Sequence, residues 1–327
     1  MDMERTDYLV IGAGISGLLC ASELQQAGHS VVVLDKGRGY GGRMATRRMS
    51  GARLDHGAQF FTVRDERFQE YVSKWQEAGI IHEWFRRYPN VESDGAHPRY
   101  CGRSGMTDVP KYIAANLTVH RSQRVVSLIK DADGWIAEAE GGARFEARYL
   151  VLTAPLPQSI QLMDTSGLNW AGEADEALRL IRYEKGLATL AILKGASGLP
   201  HPGGLPVEDA VLSWLGDNTQ KGISPDVSAV TLHANADFAA KHWESPNEVR
   251  GPLMLDAAKA YLEAEVIEYN CHRWGFARPI NPWPELSFHR PSLRFSLAGD
   301  AFGGERVEGA ALSGIQTARD LIDSALV

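Results

Sequence analysis

The sequence predicts an α/β fold with two lobes, one built on a parallel βαβ unit and the other of mixed strands and helices. Three observations carry that expectation. An apolar run over Asp7–Gly12 leads straight into Gly12-Ala13-Gly14-Ile15-Ser16-Gly17. Apolar residues then recur at helical spacing from Ile15 to Ala27, with Gly28 placed to end the helix in the left-handed conformation. A second apolar run, Ser30–Leu34, stops at the acidic Asp35.

Beyond this unit, Gly37–Ser50 is rich in Gly and Arg, as suits a loop that wraps a ligand. Glu66–Ile81 has a helical pattern and is followed by an irregular stretch to Gly105. Leu117–Leu128, Trp135–Glu140 and Arg144–Leu152 read as a meander of short strands, with turns at Asp133-Gly134 and Gly141-Gly142. Strands and helices mix between Leu156 and Pro284, after which FSLAGDAF and a helix from about Ala310 close the chain. The expected division puts 1–65, 105–155 and 285–327 in the nucleotide lobe, and 66–104 and 156–284 in a substrate lobe.

Composition narrows the function classes. The 327 residues can bury two lobes without staples, and Cys20, Cys101 and Cys271 suggest neither disulfide framework, CxxC redox pair nor zinc site. Such cysteine usage, with no signal-like N-terminus and no run long enough to span a bilayer, leads to the expectation of a cytoplasmic protein. The net charge of −7 argues against a nucleic-acid polymer as partner and leaves small anions.

The GxGxxG pattern stands where its physics requires, after a strand and opening a helix. Gly12 allows the tight turn, Gly14 lets backbone approach a pyrophosphate, and Gly17 permits close helix–strand packing, while Ala13, Ile15 and Ser16 supply amides at a helix N-terminus. Asp35, with Lys36 beside it, is placed to meet the adenosine ribose. This pattern alone does not separate NAD from FAD. A second Gly-rich loop, Gly41-Gly42-Arg43-Met44-Ala45-Thr46, adds an arginine suited to a pyrophosphate and favours the larger ligand, FAD.

The order GxGxxG, acidic residue, GGR, LDHGAQFF and a late AGD resembles the amine-oxidase-related FAD-dependent oxidoreductases, and among them the renalases in their bacterial form. HRWGFA at 272–277 and Leu297–Asp300 extend the likeness beyond the nucleotide segments. It implies a Rossmann-type FAD-binding lobe of the p-hydroxybenzoate hydroxylase/amine oxidase kind with a mixed α+β substrate lobe. It also implies that His56, Gly57, Ala58 and Gln59 run beside the isoalloxazine, that Gly299 and Asp300 meet the ribityl-phosphate, and that Thr153 and Ala154 lie near the cofactor. Val125 or Val126 would touch adenine through backbone groups, and Gly309, Ala310 and Ala311 would open a last helix aimed at the flavin's pyrimidine carbonyls. Residues 302–308 contain no cysteine to tether a flavin, so the FAD is expected to be non-covalent.

For the substrate, no Ser/His/Asp set, metal cluster or acid pair stands out in the second lobe. Losing hydride from a dihydropyridine yields an aromatic pyridinium and needs no general base, whereas an alcohol or α-CH acid needs one. The resemblance implies the same donor: an isomeric dihydronicotinamide dinucleotide (2-dihydro-NAD(P), or the 6-dihydro form), with O2 reduced to H2O2 as metabolite repair. His272, Arg273 and Trp274 are the candidate substrate contacts, Trp274 by stacking and the other two through the carboxamide or phosphates, with Trp283 and His289 behind them. Gln59, Phe61 and Arg64 join them from the flavin-facing segment; Phe60 and Phe61 serve equally as core. An amine oxidase and a non-catalytic FAD-binding sensor are the rival readings. A nicotinamide-dependent dehydrogenase would usually carry a second GxGxxG opening its own dinucleotide domain, and no second domain of that kind is read in this chain.

Overall fold

The computed structural model describes residues 5–89 and 97–325; residues 90–96, within the stretch expected to be irregular, and the extreme termini lie outside them. The chain divides into two units. One comprises Met1–Gly42, Pro110–Arg182 and Pro279–Val327, and the other Arg43–Val109 and Tyr183–Arg278.

The first unit is organised by a sheet in the order Phe288–Arg290, Phe295–Leu297, Arg144–Leu152, Thr6–Ile11, Val31–Leu34, Thr118–His120. Its middle strands are parallel, and their registers align Leu34, Ile11, Leu152 and Leu297 across one edge. Gly12, Asp35, Thr153 and Gly299 therefore follow strand ends at a common crest, where ligands of open α/β sheets bind. The strands are buried on both faces, which is why they read as continuous apolar runs. Helix Ile15–Gln26 packs against the last helix, Val307–Ala325, so closely that a Cβ on Gly314 would lie 2.1 Å from the Ser16 carbonyl oxygen. Gly28 (φ 92°) ends the first helix as expected, its N–H donating to Gln25 O.

The second unit centres on a sheet ordered Gly204–Pro206, Leu212–Asp217, Ala229–Ala234, Tyr183–Leu193, Val266–Pro279. Alternation along Tyr183–Leu193 splits its two faces. Leu187, Ala191 and Leu193 pack with Phe238 and Met254 of helices Ala236–Lys241 and Asn247–Ala258. Leu190 and Ile192 face the other way, against Ala52 and Leu54 of the hairpin Thr46–Met49/Ala52–Asp55. Ile81–Phe85 and Arg99–Gly102 form a further antiparallel pair in the stretch expected to be irregular.

Several boundaries differ from expectation. Residues 43–65 cluster with the second unit because Ala52 and Leu54 are buried in its core. Residues 156–182 cluster with the first, where Trp170 packs edge-on against Phe295 and Thr165 Oγ1 accepts from Leu128 N. The single strand expected over Leu117–Leu128 is two: Thr118–His120 pairs with Val31–Leu34, and Val125–Lys130 pairs with Trp135–Ala139, the chain turning between them at Ser122 (φ 58°). Helix Glu66–Glu77 ends earlier than the pattern, since Ile81 begins a strand. No helix among the described residues is long and apolar enough to cross a membrane.

Candidate functional site

At the crest of the first unit the glycines divide into two kinds. Gly12 (φ 119°) and Gly17 are packed: a Cβ on the former would lie 2.5 Å from Thr153 Oγ1, and on the latter 2.0 Å from Gly12 O. Gly14 is open, with nothing within 4 Å of where its Cβ would be, and Gly42 meets only Gly14 Cα at 4.0 Å. Gly14 begins the helix at Ile15 without a side-chain cap, so first-turn amides are left for a ligand. Ser16 Oγ, beside them, is buried without a hydrogen-bond partner. An open, donor-rich cradle at a helix N-terminus fits a dinucleotide pyrophosphate.

Asp35 has a task that the sequence did not reveal. Its Oδ2 accepts from Ala13 N at 2.7 Å and its Oδ1 from Gly37 N at 2.6 Å, so the carboxylate holds the loop. Lys36 reaches away to Gln158 Oε1. Thr153 Oγ1 donates to the carbonyls of Ile11 and Gly12, and Ala154 O accepts from Ser159 Oγ, which makes both part of the strand-end scaffold. Val125 is half-buried on its strand. Gly299 (φ 124°) donates its N–H to Ser313 Oγ, and Asp300 is buried at the head of a short helix. The last helix starts at Val307, so Gly309, Ala310 and Ala311 lie inside it; Ala310 N already donates to Arg306 O, and Ala311 is buried. Trp283 and His289 belong to this unit. Trp283 N donates to Ala301 O, while His289 bridges Ser287, Ser296 and Asp320.

In the second unit the segment after the hairpin is held almost rigidly. Asp55 and Lys221, both fully buried, pair at 2.6 Å. Asp55 Oδ1 also accepts from Thr46 Oγ1 and Met106 N, and Asp55 O accepts from Thr231 Oγ1 and from Gln59 Nε2. Gln59 thus acts as a clamp, its Nε2 reaching Gly57 O as well. Gly57 must be glycine, because a Cβ there would lie 2.1 Å from Arg43 O, and Arg43 O also accepts from Ala58 N. Arg43 Nη1 donates to Phe276 O and Ala277 O, each at 3.2 Å, tying this segment to the end of Val266–Pro279. Met44 is buried and its carbonyl accepts from Thr107 Oγ1; Ala45 is half-buried.

His56, His272 and Trp274 come together as an aromatic cluster. The His56 ring stacks on Trp274 (centroids 5.1 Å apart, 26° between planes) and meets His272 edge-on at 4.7 Å, and Trp274 Nε1 donates to His56 O. Burial first, then repulsion by His272 when it is protonated and by Arg47, holds the His56 pKa down at about 3. His272 is also lowered, by burial first and Arg47 second. Both rings are therefore neutral at physiological pH, able to donate or accept one hydrogen bond without carrying charge.

Two expected contacts, Arg273 and Phe61, fall elsewhere. Arg273 leaves the strand on the face opposite His272 and Trp274, because side chains alternate; its guanidinium lies over Trp243 and Nη1 donates to Trp243 O. Phe61 is buried in an aromatic core with Phe68, Trp75 and Tyr100, whereas Phe60 packs against Trp84, Phe85 and Trp214. Arg64 is exposed in the loop beyond. Conversely, sequence reading passed over Lys221, which sits in a short turn with no motif around it and is identified only by its partner 166 positions away.

Residues 75–322 match the family described as flavin containing amine oxidoreductase, and residues 10–75 match an NAD(P)-binding Rossmann-like domain. The chain belongs to that flavin-dependent family: it is an FAD-dependent oxidoreductase with FAD as its cofactor. Among curated relatives, renalase of Mus musculus is 23% identical over 291 residues, covering 83% of this chain and 84% of that protein. Putrescine oxidase of Kocuria rosea is 31% identical over 137 residues, 40% of this chain and 26% of the relative. Solved structures sharing the fold include reduced UDP-galactopyranose mutase (TM-score 0.73, 13% identity, 98% of this chain and 96% of that one) and wild-type putrescine oxidase bound to putrescine (0.70, 16%, 98% and 99%).

Proposed function

We propose that the protein is an FAD-dependent oxidase of isomeric dihydronicotinamide dinucleotides, 2-dihydro-NAD(P) foremost and the 6-dihydro form with it, that returns NAD(P)+ and functions in metabolite repair. The observation that carries this reading is the His56–His272–Trp274 cluster, an aromatic wall whose imidazoles are kept neutral. Such a wall suits a flat, uncharged dihydropyridine. Aromatisation drives the donor's loss of hydride, so a site without an ionised base suffices. The renalase likeness over most of the chain points the same way.

Bound FAD would supply the two-electron acceptor for the donor's hydride, and the same electron pair, with one proton from solvent beside the one the hydride carries, would reduce O2 to H2O2. The chain's own residues do the rest. The open backbone at Gly14 and Gly42, with Ser16 Oγ, would cradle the pyrophosphate, Asp35 would meet the ribose, and Gly299–Asp300 the ribityl chain. Gly57, lacking a side chain and braced by Arg43 O and Gln59, would let backbone lie flat along the ring. Trp274 would stack on the nicotinamide, and His272 would offer its ring nitrogen to the carboxamide. Arg43, whose Nη1 is engaged by Phe276 O and Ala277 O, would orient the strand carrying Trp274 in addition to any phosphate contact. The three cysteines are buried and none lies in 302–308, in keeping with a non-covalent flavin.

The second reading, an amine oxidase, is favoured by the partial match to putrescine oxidase. Anaerobic mixing of the yellow protein with 2-, 6- and 4-dihydro-NAD and with putrescine and benzylamine separates the two. Rapid loss of flavin absorbance with a misplaced-hydride isomer is expected; bleaching by an amine alone would overturn the proposal.

A further inference from the structure

We propose that Arg47 is the residue that recognises a phosphate of the substrate, making the enzyme selective for phosphorylated dihydronicotinamides over the uncharged riboside. This rests on the reading above and adds the group that selects among its substrates.

The hairpin Thr46–Met49/Ala52–Asp55 holds three arginines, Arg47, Arg48 and Arg53, in a chain of net charge −7, and none of the three side chains has a hydrogen bond or ion pair with a described residue. Register sorts them. Arg48 is directly opposite Arg53, a like-charge pair on one face of the hairpin. Arg47 is opposite Leu54, so the two side chains leave the other face. Leu54 is buried there against Leu190 and Ile192. That is also the side to which the neighbouring strand turns Trp274, since its indole reaches His56 just past the hairpin's end.

Arg47 is thus an exposed guanidinium at the rim of the aromatic cluster, and its charge is felt by both imidazoles. Those imidazoles are neutral and supply no counter-charge. Its position disfavours a protonated amine and favours an anion attached to a flat ring, which is the shape of a nicotinamide nucleotide. Nothing about packing requires a cation here, because the aliphatic core beneath is supplied by Leu54.

The test uses the FAD-loaded enzyme with one dihydronicotinamide isomer in three forms: riboside, mononucleotide and dinucleotide. The wild type should reduce its flavin with the two phosphorylated forms at a kcat/KM at least about tenfold above the riboside, mainly through KM. Arg47→Gln should bring that ratio close to one without loss of FAD, Arg47→Lys should restore part of it, and Arg48→Gln should leave it unchanged. A wild type indifferent to the phosphate, an Arg47→Gln ratio equal to wild type, or an equal effect of Arg48→Gln overturns the role of Arg47 while leaving the dihydronicotinamide reading intact. Loss of FAD from Arg47→Gln would assign the residue to the cofactor and also overturn it. Failure of all three forms to bleach the wild-type flavin removes the substrate reading and this inference together.

Discussion

Trp274 grips His56 twice: its indole N–H donates to the His56 carbonyl at 2.7 Å while its ring stacks on the imidazole of the same residue. A strand near the chain's end thereby orients a segment near its beginning, and one side chain couples backbone placement to the aromatic wall.

Trp274→Phe separates these tasks. The ring stack is largely kept, but a buried carbonyl loses its donor, which should cost about 1–2 kcal/mol in urea unfolding. Anaerobic flavin reduction by the dihydronicotinamide should slow with FAD still bound. Unchanged reduction kinetics in both Trp274→Phe and Trp274→Ala would remove Trp274 from the substrate site.

The buried pair Asp55–Lys221 should show strong coupling. Lys221→Met strands an uncompensated carboxylate and should destabilise by about 3–5 kcal/mol, whereas Asp55→Asn together with Lys221→Met should recover most of the loss. Additive losses in the double variant would show that the two groups do not act as a pair.

The two kinds of glycine at the nucleotide crest predict two phenotypes. Gly14→Ala adds a methyl to open space at an unstrained φ of −77°, so it should fold with nearly wild-type stability and purify with little FAD. Gly17→Ala drives a methyl into Gly12 O and should lose stability first, by about 1–3 kcal/mol. Absorbance at the flavin band and a thermal melt read the two outcomes; Gly14→Ala with full FAD would contradict the pyrophosphate cradle.

His56 makes stability fall in acid. Its pKa is held at about 3 in the folded protein against 6.5 for the free side chain, so the unfolded chain takes up the proton first. Its contribution is complete above about pH 6.5 and is lost progressively as pH falls from there towards 3. The urea midpoint of the wild type should drop between pH 7 and pH 4.5, and His56→Gln should drop less. An identical slope in the variant would place the titration elsewhere.

Local features of the chain were legible from the residues alone. The tight turn at Gly12, the helix end at Gly28 and the buried parallel strands follow from φ preference and apolar runs, which act over a few neighbouring positions. The motif order likewise carried the flavin family. The substrate segment was less legible: HRW read as a trio, yet alternation on a strand turns Arg273 away from His272 and Trp274, and that segment's strand character was not evident from its composition.

What the sequence by itself determined is the nucleotide crest and its cofactor, because a glycine's missing side chain and a strand-to-helix turn are local constraints written at consecutive positions. Tertiary structure decided which side chains share the candidate substrate wall. It sent Phe61 into the core, engaged Arg43 with carbonyls 233 and 234 positions away, and joined Lys221 to Asp55. Those outcomes depend on burial and on partners brought together only by folding, and no spacing along the chain encodes them.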